Sequence, residues 1–460
     1  MAVDLVVHNC TVVTETGRVP DAGVAVEDGT IVAVGRPDRL PAADRRFDAD
    51  GKLLVPGIVD AHIHNREPGL EYKEDWESAT RAAAAGGVTS VVGMPNTDPI
   101  VDRPDRLELK LERGDRSAHV DFGSFVVITS ENLGEIPALA DAGAVGFKIF
   151  LGSTVGDVPA PTDGEILEAM EAVRETGKRL GFHEENGEII DHYTRRFREA
   201  GRNRPIDHAR SRPVIAEREA VERMTTFAEE TGASIHMYHV SSGSAAAAVA
   251  RGKDRGVDVT AESCPHYLWF TEEVLERKGN VARIQPPIRD AEQHETLWEV
   301  GIDGGAIDSI ATDHAPHTPE EKGAADPFGN TWEAAAGFVG LETEVPVMLT
   351  FVADGRLRLE EWVRRHSSEP ARIWGLYPRK GSLQVGTDAD FTIVDPDHEW
   401  TLDASELHSK HPVTPFEGET FTGKATATVV RGEVVYADGE VRGDPGYGRR
   451  LPVDRSGDDQ

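Results

Sequence analysis

Cysteine is nearly absent: the 460 residues hold only Cys10 and Cys264. Two thiols cannot make a disulfide framework, and the shortage fits a reducing cytoplasm. Positive charge is also scarce. Lys and Arg number 49 against 81 Asp and Glu, a net charge of −32 at pH 7. Nucleic acid and anionic membrane surfaces both need basic patches, so neither is expected as a partner. No apolar run approaches the roughly 20 residues of a transmembrane helix. The opening Met1-Ala2-Val3-Asp4 has neither a basic region nor an apolar stretch, so no secretory leader is expected.

With 39% hydrophobic and 28% charged residues, the chain reads as globular and long enough for a large core. Its length suits two or three domains, or one barrel with an accessory unit. The acidity is spread along the chain, and arginine greatly outnumbers lysine. This reads as a halophilic protein, kept hydrated in high salt by a dense carboxylate surface. An ordinary acidic cytoplasmic protein is the alternative.

Both ends have a β rhythm. Residues 1–54 hold short apolar runs such as Leu5-Val6-Val7 and Val24-Ala25-Val26, punctuated by Gly17, Gly23, Gly29 and Gly35. Residues 381–445 repeat the style. Neither end makes a core alone, so one small β-sandwich built from both termini is expected. Residues 446–460 read as a flexible tail.

Between them, over 55–380, eight apolar β-type runs alternate with Ala- and Glu-rich helical stretches. The runs are Gly57–His62, Val88–Met94, Val120–Ile128, Val145–Phe150, Arg179–His183, Ser234–His239, Val257–Glu262 and Ile307–Thr312. Eight strand–helix units predict an α/β chain with a (β/α)8 TIM barrel. Chemistry in such a barrel belongs at the C-terminal ends of the strands.

Those ends carry a constellation. His62 and His64 lie two apart at the end of the first strand and share a face, as a metal half-site would. Lys148 lies near the end of the fourth, His183 and His239 end the fifth and sixth, and Asp313 follows the eighth. Each residue alone has an ordinary structural explanation, but six together at the catalytic ends do not. An ammonium repels a cation. A lysine buried between Phe147 and Phe150 should lose its proton, and a neutral amine can capture carbon dioxide as a carbamate. Two divalent ions about 3.5–4 Å apart would then activate a shared water near neutral pH. Asp313 has the chemistry of a general base and acid. His236, three residues before His239, is expected on the opposite strand face.

These residues resemble the amidohydrolase superfamily, and within it the cyclic amidohydrolases: dihydroorotase, allantoinase and hydantoinase. The likeness covers nearly the whole chain, including the re-entry Gly381-Ser382-Leu383-Gln384-Val385-Gly386-Thr387-Asp388. It implies metal ligation by His62, His64, Lys148, His183, His239 and Asp313. It also implies two divalent ions, zinc as their identity, and a carboxylated Lys148 bridging them. Three segments look most like dihydroorotase: Asn65-Arg66-Glu67-Pro68-Gly69, Met94-Pro95-Asn96-Thr97, and Asp313 to His317. The resemblance therefore implies a dihydroorotase of pyrimidine biosynthesis, with Arg66, Asn96 and His317 holding the substrate carboxylate. Gln285 stands where many dihydroorotases have asparagine. Pro286-Pro287-Ile288-Arg289 is also close to the allantoinase form. The alternatives are an allantoinase or hydantoinase acting on an uncharged cyclic ureide, and, in another class, a catalytically silent scaffold. The expected partners are a small-molecule substrate and, in a homo-oligomer, further copies of the chain.

Overall fold

The computed structural model describes residues 2–152 and 158–453. The N-terminal strands are β1 (Val3–Thr14), β2 (Gly17–Glu27), β3 (Thr30–Gly35), β4 (Ala43–Asp48) and β5 (Leu53–Pro56). Asp28 and Gly29, both with positive φ, close the β2–β3 turn in the twist that two-residue hairpins need.

The barrel follows as β6 (Ile58–Ile63), β7 (Val88–Gly93), β8 (Asp121–Ser124), β9 (Val126–Val127), β10 (Phe147–Phe150), β11 (Leu180–His183), β12 (Ile235–Met237), β13 (Val259–Ser263) and β14 (Ser309–Ile310). All neighbours pair parallel. The predicted third strand is broken at Phe125, so β8 pairs with β7 and β9 with β10. The Phe125 ring turns inward onto Trp374, 4.5 Å away. Ile63 bridges to His314, and His64 N donates to His314 O at 2.7 Å, which closes the ring between the first and last strands. The chain is thus the expected (β/α)8 barrel with a β-rich domain. Its strands read as unbroken apolar runs because helices cover their outer faces. The helix Trp76–Gly86 shows how the sequence sets its limits. Asp75 and Ser78 form a capping box at its start, and Gly87 ends it at φ 91°.

The chain then returns to the first domain as β15 (Phe391–Thr401), β16 (Thr420–Val430), β17 (Glu433–Ala437) and β18 (Glu440–Val441). β15 pairs antiparallel with β5, so the two ends share one nine-stranded sheet among the described residues. Leu5, Val7, Val24, Val26, Phe391, Ile393 and Val429 form its core. Thr387 O accepts from Ile31 N, which ties the re-entry segment to β3.

Asp121, Asp388 and Asp390 converge where this domain meets the barrel. The cluster already has its cations. Buried Lys380 Nζ lies 2.5 Å from Asp121, 2.6 Å from Asp390 and 2.9 Å from Asp388, and Arg431 pairs with Asp121. The tail expectation is corrected in part. Arg449 N donates to Asp121, Arg450 pairs with Glu108 and Asp115, and Leu451 is buried against the barrel. Those anchors fix the stretch as far as Val453, whereas residues 454–460 lie outside the described residues. No described helix is long and apolar enough to cross a membrane.

Candidate metal centre

The barrel brings four histidines and an aspartate into one cavity, with Lys148, Arg66, Asn96 and Gln285 on its wall. Asp313 Oδ1 lies 3.3 Å from His62 Nε2 and 3.1 Å from His64 Nε2. His183 Nδ1 lies 2.9 Å from His239 Nε2. These are distances at which several donors face a common point.

Each of three imidazoles is gripped from behind. His62 Nδ1 is 2.5 Å from Glu262 Oε1, His64 Nδ1 is 2.8 Å from Asn96 Oδ1, and His183 Nε2 is 2.9 Å from Glu185 Oε2. Glu185 is fixed in turn by Arg212, which with His183 holds its carboxyl well below the usual range despite burial. Such partners fix ring orientation and direct the other nitrogen at a ligand. Burial, with the Lys148 charge adding to it, keeps His62, His64 and His239 well below the ordinary imidazole range. They are neutral, the form that binds metals. Buried His62 Nε2 and His239 Nδ1 have no hydrogen-bond partner among the described residues. A donor set of neutral nitrogens, a carboxylate and orphaned buried atoms fits a divalent cation.

Lys148 is 1% exposed, and burial lowers its ammonium to about 8. Its Nζ stands 3.6 Å from the centroid of the Tyr238 ring. Burial pushes Asp313 up to about 7.

Backbone strain concentrates here. Arg66, His239 and Asp313 have positive φ of 61°, 36° and 46°. Non-glycine residues rarely adopt such angles and persist in them where surrounding structure enforces them. The turn at His239 explains one correction. His236 does not point outward to the helices. It packs inside on Tyr238 and Trp374, with Nε2 3.2 Å from Glu262. The strand stops at Met237, and the left-handed step swings His239 to the same interior.

Arg66 and Asn96 line the cavity, but His317 does not. It sits behind Arg66, whose Nη2 lies 3.2 Å from His317 Nε2 while its Nε donates to Pro316 O at 3.2 Å. Sequence reasoning missed Glu262, Glu185 and Tyr238. The signals were there: Glu185 is two residues past His183, and Glu262 is an acid at the end of an apolar strand.

The amidohydrolase family profile matches residues 53–435. An allantoinase from Rubrobacter xylanophilus is 40% identical over 447 residues, 96% of each chain. An L-hydantoinase from Paenarthrobacter aurescens is 37% identical over 450 residues, 97% of each chain. The solved L-hydantoinase (dihydropyrimidinase) from Arthrobacter aurescens superposes with a TM-score of 0.94 at 36% identity, covering 98% of this chain and 99% of that one. These relatives overturn the dihydroorotase expectation, and with it the place in pyrimidine biosynthesis. The geometry supplies a reason. Arg66 is buried, but its Nε already donates to Pro316 O and its Nη2 packs against His317, so its burial does not require a substrate carboxylate.

Proposed function

The chain belongs to the amidohydrolase family as a metal-dependent cyclic amidohydrolase, and from that premise we propose that it opens a five-membered cyclic ureide of the hydantoin or allantoin kind. The observation that carries the reading is the cluster of neutral, rear-anchored imidazoles around Asp313 in one cavity. Allantoinase and L-hydantoinase relatives support the ring type.

Two divalent ions, zinc the expected identity, would be held by His62, His64, His183, His239 and Asp313, with Lys148 carboxylated between them. Bound there, the metal supplies Lewis acidity, which makes water a nucleophile near neutral pH and polarises the ring carbonyl. Asp313 accepts the proton of the attacking water and returns it to the leaving ring nitrogen. Arg66 and Asn96 orient the ring carbonyls, and His317 positions Arg66. Gln285 Oε1, buried without a hydrogen-bond partner among the described residues, is placed to accept from a ring N–H. A cytoplasmic, salt-rich setting belongs to the same reading, supported by two buried free thiols and the net charge of −32. So does self-association, which light scattering would read.

The test is protein reconstituted with zinc and offered hydantoin, allantoin and dihydroorotate side by side. Opening of hydantoin or allantoin, lost on chelation and restored by zinc, is expected. Turnover of dihydroorotate alone would overturn the reading. For the lysine bridge, Lys148→Ala should lose most metal and rate, and added acetate or propionate should restore part of both. Full metal and rate in that variant would remove the bridging role.

A further inference from the structure

Next to the catalytic cavity lies a second one of about 330 Å³, and the two share Gln285 and Ala336. In a chain this acidic its lining is unusual. Arg198, Arg212, Arg283, Lys73 and His208 face it, against one acid, Asp191, at the exposed rim.

Most of these cations are accounted for. Arg212 pairs with Glu185 at 2.5 Å, Lys73 pairs with Glu321 at 3.0 Å, and Arg198 lies over the Trp332 ring. His208 is buried and held well below the ordinary imidazole range, so it is neutral. Arg283 differs. It is 9% exposed, its buried Nε has no hydrogen-bond partner, and no carboxylate among the described residues pairs with it. Behind it, fully buried Lys322 donates to the carbonyls of Arg283 and Ala335 at 3.0 and 3.2 Å and brings no negative charge. Burial, then Arg212 and Arg198, lower Arg283 only to about 9, so it remains a cation at neutral pH. A buried charge without a partner is costly. Among the described residues, no acid is placed to meet it.

We propose that this cavity is a subsite for a carboxylate carried on an exocyclic arm of the ureide substrate, held by the planar fork of Arg283. The subsite rests on the ureide reading above and deepens it. It shares a wall with the catalytic cavity at Gln285, so a ring seated at the metal centre can extend a short arm past that side chain. The guanidinium fork suits two-point carboxylate binding. Ring opening also creates a carboxylate, in the product, and the test separates the two sources.

The test compares two 5-substituted hydantoins of equal arm length, one ending in a carboxylate and the other in a carboxamide, at one fixed salt concentration. For the metal-loaded protein, kcat/KM should favour the carboxylate by about 30-fold, the scale of a desolvated charge pair. In Arg283→Gln the ratio should fall to near one, and in Arg283→Lys it should lie between. Titration calorimetry of both compounds reads the same preference without turnover. Ring opening with no preference sinks the subsite and leaves the function standing. Preferential, Arg283-dependent binding without ring opening does the reverse. If Arg283→Gln slows both hydantoins equally and weakens inhibition by an N-carbamoyl amino acid with a neutral arm, the charge serves the product, and the proposal is overturned.

Discussion

Asp313 is where the chemistry is most exposed to a single change. Asp313→Asn keeps the shape and removes the proposed proton acceptor. The rate per bound metal should fall by about 10²–10⁴-fold, read by steady-state kinetics alongside metal analysis. His266 carries a different liability. It is buried between the rings of Tyr267 and Phe338, and burial alone holds it down to about 3. Its folded pKa is depressed below the unfolded value of about 6.5, so its contribution to stability is complete above that pH. It is lost as pH falls toward 3. Replacing it with phenylalanine removes the titration. Between pH 6.5 and 5, the variant should gain about 2 kcal/mol on the wild type in denaturant unfolding, at about 1.4 kcal/mol per pH unit. A pH-independent difference would show that His266 is solvated. Nothing in the spacing of this residue along the sequence reveals which rings surround it.

At the scale of an element, β11 shows how one glycine sets a site. A Cβ on Gly181 would stand 2.0 Å from the Tyr238 ring, the same ring that lies under Lys148 and 4.8 Å from His62. Gly181→Ala should therefore cost about 1–3 kcal/mol and weaken metal retention, by thermal melting and equilibrium dialysis. Gly164 is the control. It sits in the helix Asp163–Glu175 with open space around its Cβ position, and Gly164→Ala should be neutral or stabilise by up to about 1 kcal/mol. The strands and their catalytic ends were legible because buried parallel strands write themselves as apolar runs, and a ligand must interrupt such a run at its end. The break at Phe125 and the left-handed steps at Arg66 and His239 were not. An alternation rule assumes an extended backbone, and here three-dimensional packing bends it. The acids behind the histidines were harder to find for a related reason: Glu262 meets His62 across 200 positions of sequence.

The whole molecule is held together at the junction of its two domains. Lys380, 1% exposed, sits among Asp121, Asp388 and Asp390, and removing it strands buried carboxylates. Lys380→Met should lower unfolding stability by about 3–5 kcal/mol in chemical denaturation. A loss below about 1 kcal/mol would mean that Arg431 alone carries the junction. The two-ended β domain was readable because neither end could close a core. The residues that share the cavity were legible too, but substrate choice was not, because Arg66 looks alike whether it faces a substrate or leans on Pro316 and His317. The shared sheet also fixes an order of events during synthesis. Leu53–Pro56 is complete early, but its hydrogen-bonding partner Phe391–Val394 leaves the ribosome more than 300 residues later. At about 5–20 residues per second, that open edge waits at least some 15 seconds for its neighbour. The nascent chain thus passes through a stage with an unpaired strand and a half-built barrel, a natural client for chaperones that shield β edges.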